Sequence, residues 1–176
     1  EVESWLASEE ADYPHTFLGR AFQWLENEVS RGNKVSPAFL FAIILSGSIE
    51  ERAHRMQEET GARNPVIFPA AKEVIDLLRE RISIPKGDAE AIKAILYGIQ
   101  RFLQTKGKRP YRWKNNPRFN EAYRYFKLKS EIDETNAEIV GWWETFLKSG
   151  KEWAVKKGKR NYYRKNRRGR PGREKT

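Results

Sequence analysis

The stretch Ser36-Pro37-Ala38-Phe39-Leu40-Phe41-Ala42-Ile43-Ile44-Leu45 decides the fold. Ser36 is a good N-cap, and Pro37 at the first helical position loses nothing by lacking an N–H. The residues from Ala38 to Leu45 are apolar on every side. A helix without a polar face belongs at the centre of a domain, so the flanking chain must supply helices that wrap it.

Working outward, Phe17, Ala21, Phe22, Leu25 and Val29 recur at helical steps and stop at Gly32. Ser46-Gly47-Ser48 reads as a turn, after which Ser48-Ile49-Glu50-Glu51 looks like a capping box opening a polar surface helix that runs to Gly61. The segment Ala70 to Ile82, with Val74, Ile75, Leu77 and Leu78, predicts an amphipathic helix. Ile84-Pro85-Lys86-Gly87-Asp88 breaks it, and Ile92, Ile95, Leu96, Ile99, Phe102 and Leu103 mark a long helix ending at Gly107. Asn116-Pro117 opens a further helix with Phe119, Ala122, Tyr123 and Phe126 on one face. The last helix starts at Thr135 or Asn136, turns Ile139, Trp142 or Trp143, Phe146 and Leu147 inward, and stops before Gly150. No run of alternating β-branched residues lies between turn signals. The expected fold is all-α, about seven helices in an orthogonal bundle over residues 1–150.

The chain has 176 residues and a formal net charge of +10. That charge is not spread evenly. Residues 1–150 hold 22 basic and 22 acidic side chains, whereas residues 151–176 hold 12 basic and 2 acidic ones. A mean hydropathy of −0.82 leaves no stretch near the roughly 20 apolar residues that a membrane span needs. The absence of Cys excludes disulfide scaffolds, thiolate metal sites and cysteine nucleophiles, and it agrees with a reducing compartment. Two His, His15 and His54, are too few for a His-rich metal site. The chain begins at Glu1 and its single Met is Met56, which suggests a piece of a longer polypeptide. Ser46-Gly47-Ser48 superficially resembles the Gly-Ser of a nucleotidyltransferase but is not followed by an Asp-x-Asp pair. Glu50-Glu51 and Glu58-Glu59 read as surface charge, and there is no phosphate-cradling loop. No catalytic or metal-ligating set is expected in this chain.

A second asymmetry lies inside the neutral part. Residues 101–129 carry 10 basic and 1 acidic side chains, between acidic flanks. In the expected loop Lys106 to Lys114, Lys106, Lys108, Arg109, Arg112 and Lys114 alternate with Tyr111 and Trp113, and Arg118 follows. Cations beside rings are what single-stranded nucleic acid binders use, for phosphates and bases respectively. The same residues also fit a plainer arrangement, with the charges paired to the acidic flanks and Trp113 packed on the core. The arm 151–176 adds Lys156, Lys157, Lys159, Arg160, Arg164, Lys165, Arg167, Arg168 and Arg170. It reads as a polyanion-binding extension, largely disordered after about residue 163.

Val35-Ser36-Pro37-Ala38-Phe39-Leu40-Phe41-Ala42, Ile84-Pro85-Lys86, Gly107-Lys108-Arg109, Pro117-Arg118-Phe119-Asn120-Glu121-Ala122-Tyr123 and Trp142-Trp143-Glu144 occur in this order. Together with the arginine-rich end, they make the sequence similar to the bacterial poly(A) polymerases in the part that follows the catalytic head. The resemblance implies an RNA-binding helical body in the cytoplasm. It would hold single-stranded RNA while an upstream nucleotidyltransferase head, using ATP and Mg, adds AMP units to the 3′ end. It places no catalytic residue and no cofactor in this chain. The rival expectation is a non-catalytic helical adaptor that binds a protein partner and whose tail only solubilises it or tethers RNA weakly.

Overall fold

A computed structural model describes residues 15–63 and 66–150. Among them every regular element is a helix: α1 (Phe17–Ser30), α2 (Pro37–Thr60), α3 (Ile67–Arg79), α4 (Lys86–Phe102), α5 (Arg109–Lys114), α6 (Phe119–Ile132) and α7 (Ala137–Lys148). The expected all-α class holds. The helices are divided differently along the chain. No described helix is long and apolar enough to cross a membrane.

α2 begins as its cap predicts, with Ser36 Oγ accepting from the Phe39 N–H at 3.2 Å. It then runs unbroken through Ser46-Gly47-Ser48 for 24 residues, so the expected turn and the separate polar helix are one continuous rod. Two observations explain this. Ser46 Oγ donates to the Ile43 carbonyl at 2.8 Å, which satisfies the hydroxyl inside the helix instead of ending it. Ser46, Ser48, Ile49 and Ala53 are all buried, because α2 packs against both α3 and α4. Burial along two neighbours outweighs weak local signals for a break.

α3 starts earlier than expected, at Ile67, and takes Pro69 into its first turn, where the ring costs no hydrogen bond. It ends at Arg79, leaving Leu77 and Ile82 exposed. α4 ends at Phe102 rather than Gly107. Beyond Phe102 no buried apolar side chain holds a further turn, and Leu103 is exposed.

Two apolar clusters organise the body. The larger contains Leu18, Leu25, Phe39, Ile43, Ile49, Val74, Ile75, Ile92 and Ile95, with Tyr125 and Leu128 from α6. The smaller is aromatic, comprising Phe102, Phe119, Ala122, Phe126, Trp143 and Phe146, with Tyr111 and Trp113 packed against it. α6 faces both. Phe102 is the hub of the second cluster, with ring centroids 4.9 Å from Phe126, 5.1 Å from Trp143, 5.5 Å from Phe119 and 5.8 Å from Trp113. Gly98 permits this crossing: a Cβ there would lie 2.8 Å from Ala122 Cβ and 3.3 Å from Trp113 Cζ2.

Candidate nucleic-acid interface

The candidate site grows from the turn after α4. Gly107 has φ +70°, a conformation that costs glycine little. Much of the stretch expected as a loop is instead helical: Arg109-Pro110-Tyr111-Arg112-Trp113-Lys114 forms α5, with Pro110 in its first turn and buried. Six residues are too few to display an apolar period, and for that reason the pattern reads as a loop. Asn115 caps the element, and the next residue, Asn116, accepts at Oδ1 from the Arg118 N–H at 2.8 Å and donates its N–H to the Trp113 carbonyl at 2.9 Å.

α5 divides its side chains between core and surface. The Trp113 ring meets Phe102 and Phe119 edge-on at 5.8 and 6.3 Å, and Tyr111 meets Phe146 edge-on at 4.9 Å. Both rings are half-buried. Arg109 and Arg112, three residues apart and so on one helix face, are exposed. They form one side of a cleft of about 460 Å³ between α3, α4 and α5, whose walls include Phe68, Tyr97, Arg101 and Trp113. Among the described residues no acidic side chain lines it. Arg101 lies over the Tyr97 ring at 4.9 Å, and Phe68 meets Tyr97 edge-on at 6.1 Å.

The basic block thus has two halves of different character. On and before α6 the cations are partnered: Arg118 with Glu121 at 3.3 Å, Arg124 with Glu28 at 3.0 Å, Lys127 with Glu144 at 3.4 Å, and Lys129 with Glu50 and Asp133 at 3.1 Å each. Burial opposes the charge of Lys129, but Glu50 and Asp133 outweigh it and hold its pKa above the ordinary lysine value. Among the described residues, Lys106, Arg109, Arg112 and Lys114 stand in no ion pair. Lys108 is exposed beside them. A second cleft, of about 450 Å³, lies on the other side of α4 with Ile49, Leu96 and Ile99 in its walls. It contains Glu50 and its partner Lys129, so it lacks the one-signed lining of the first.

Phe68, Tyr97 and Arg101 escaped the sequence reading. They are separated along the chain and meet only because α3 packs on α4. Among the described residues no group of three or more His, Asp or Glu could hold a metal ion. His15 and His54 are both exposed. The arm residues Lys156, Lys157, Lys159, Arg160, Arg164, Lys165, Arg167, Arg168 and Arg170 lie outside the described residues.

Residues 59–175 match the family model described as polymerase A arginine-rich C-terminus. The chain belongs to that family. The match takes in the last residues of α2, all of α3 to α7, both sides of the arginine cleft and the basic arm. Among curated relatives of this arginine-rich C-terminal domain, poly(A) polymerase I of Haemophilus influenzae is 23% identical over 179 residues, covering 95% of this chain and 40% of the relative. Poly(A) polymerase I of Escherichia coli O6:H1 is 30% identical over 125 residues, which is 69% of this chain and 27% of the relative. The Salmonella typhi enzyme of that name is 27% identical over 128 residues, again 27% of its length. The domain thus spans less than half the length of these relatives. The resemblance to bacterial poly(A) polymerases read from the sequence holds.

Proposed function

We propose that this chain is the RNA-holding part of a poly(A) polymerase. It grips single-stranded RNA near the 3′ end while a nucleotidyltransferase head, outside this sequence, adds AMP from ATP. The observation that supports it best is the cleft lined by Arg101, Arg109 and Arg112, with no acidic side chain in its walls among the described residues. Three guanidiniums left unneutralised in one concavity repel each other, a cost a protein accepts where an anion is to be bound. Phosphates of a single strand suit them, since Arg pairs with phosphate oxygens through two parallel N–H donors. The α6 cations already have carboxylate partners and would contribute less.

In this reading Lys106, Lys108, Arg109, Arg112 and Lys114 contact the RNA backbone, Arg118 adds a partly neutralised charge, and the arm from Lys156 to Arg170 supplies grip that ignores sequence. The test is charge reversal. Lys108→Glu, Arg109→Glu and Arg112→Glu together should weaken binding of an oligo(A) strand at moderate salt while the helical content stays intact, and unchanged affinity would sink the assignment. Truncation after Gly150 separates the helical adaptor reading: residual RNA affinity in the truncated body supports the RNA-holding role, and none supports the adaptor.

A further inference from the structure

Beside the arginines, the same cleft contains a ring that the core does not use. Phe68 sits in the first turn of α3 and remains 46% exposed, although Ala71, one turn further on, is fully buried. A single exposed aromatic needs no explanation by itself. This one is braced. Tyr97 stands edge-on to it at 6.1 Å with ring planes 77° apart, and the Lys93 ammonium lies 5.5 Å from the ring centroid. Lys93 is in turn paired with Glu90. Tyr97 is lidded by the Arg101 guanidinium at 4.9 Å, and Trp113 and Tyr111 are half-buried against the aromatic cluster. Of the rings in the cleft walls, Phe68 is the most exposed and is held at a fixed angle.

We propose that Phe68 is a stacking platform for one base of the bound RNA. Tyr97 fixes the ring's orientation, and Arg101 sits where the phosphate next to that base would lie. This rests on the RNA-holding reading above and deepens it, because it moves base contact from Tyr111 and Trp113 on α5 to a residue of α3. Stacking on a phenyl face is tolerant of sequence and strengthens with the size of the base, so the site favours purines over pyrimidines without reading their edges.

The experiment uses the whole chain and two probes: an oligo(A) strand, and the same ribose-phosphate strand with its bases removed. Phe68→Ala should weaken oligo(A) binding about tenfold or more, the range for loss of one base stack, and leave the abasic strand unchanged. Phe68→Tyr should restore the wild-type affinity. Phe68→Leu, which keeps an apolar side chain on α3 but removes the ring face, should behave as Phe68→Ala if the ring matters. Quenching of 2-aminopurine placed in the oligo(A) strand should occur with wild type and Phe68→Tyr and diminish with Phe68→Ala and Phe68→Leu. Equal losses on the two probes, or no loss on either, overturn the platform. The Arg109→Glu and Arg112→Glu result on the abasic strand stands apart: if those changes weaken it while Phe68 variants bind oligo(A) normally, the RNA-holding role survives and the platform does not.

Discussion

The Trp143 indole Nε1 donates a 2.9 Å hydrogen bond to the carbonyl of Phe102, the last residue of α4, across 41 positions of chain. Phe102 and Trp143 are both fully buried, and their rings also meet edge-on at 5.1 Å. A carbonyl at a helix C-terminus has no partner within its own helix, and here a side chain from α7 supplies one. The seat of α7 and the end of α4 are therefore one joint. Trp143→Phe should lower the unfolding free energy by about 2 kcal/mol, because it leaves that buried acceptor unpaired. Urea titration followed by circular dichroism would measure it, and an unchanged midpoint would show the bond to be incidental.

Gly98→Ala tests how closely α4 and α6 approach. Alanine normally gains up to about 1 kcal/mol over glycine inside a helix. Here the new methyl would lie 2.8 Å from Ala122 Cβ, and overpacking of that kind costs about 1–3 kcal/mol. The net effect should be destabilising, and Ala122→Gly in the same chain should return part of the loss. A double-mutant cycle reads the coupling, and simple additivity of the two changes would count against a direct clash.

Arg124 separates structural cations from those proposed to bind RNA. It pairs with Glu28 at 3.0 Å, donates to the Lys34 carbonyl at 2.9 Å, and lies over the rings of Trp24 and Phe39 at 5.7 and 5.3 Å. Arg124→Ala should cost about 2 kcal/mol of stability, typical of lost charge-assisted bonds, while leaving the salt dependence of RNA binding as it was. Arg109→Ala should do the reverse. Removing one cation that neutralises a phosphate of a single strand makes the slope of log K against log salt shallower by about 0.7, so salt titrations of both variants distinguish the two kinds of residue.

Alkaline pH should unfold this body cooperatively. Burial, with a smaller push from the Glu144 carboxylate, raises the Tyr123 pKa to about 12. Burial first, and then the Glu50 charge, holds the Tyr125 phenol well above the ordinary value. A phenol whose folded pKa is raised contributes stability that is complete below the unfolded value of about 10 and is lost as pH climbs towards the folded value. Lys129, also raised, acts in the same direction above its own unfolded value. Urea midpoints should hold steady as the neutral range is left behind and fall above about pH 10, and Tyr125→Phe should flatten that fall. A midpoint independent of pH up to about 11.5, well past the unfolded phenol value, would contradict the assignment.

Helix type and most of the apolar faces were legible because periodicity records which side of a segment is buried. Phe39, Ile43, Ile92, Ile95, Phe119 and Phe126 all lie in the core as their spacing predicts. Phe22 and Val29 keep the period of α1 but are exposed, since α1 meets its neighbours mainly through Leu18, Ala21 and Leu25. The passage of α2 through Ser46-Gly47-Ser48 was not legible, because what stabilises it is packing against α3 and α4 rather than anything local. The basic stretch could be located by counting charges. Which of its cations already have partners could not, since Glu28 and Glu50 come from helices far away in sequence. Phe68, Tyr97 and Arg101 carry no shared motif and become neighbours only through packing.

The meeting of Phe146 with Tyr111, at 4.9 Å, has a consequence for avidity. It ties α7, the helix that precedes the basic arm along the chain, to the element that carries Arg109 and Arg112. If the cleft and the arm both bind RNA as proposed, they act as one bivalent ligand: once the cleft holds a strand, the arm meets the same strand at an effective concentration set by the chain between the two sites. Weak affinities at each site would then multiply rather than add. A strand long enough to reach both should dissociate far more slowly than one that fills the cleft alone.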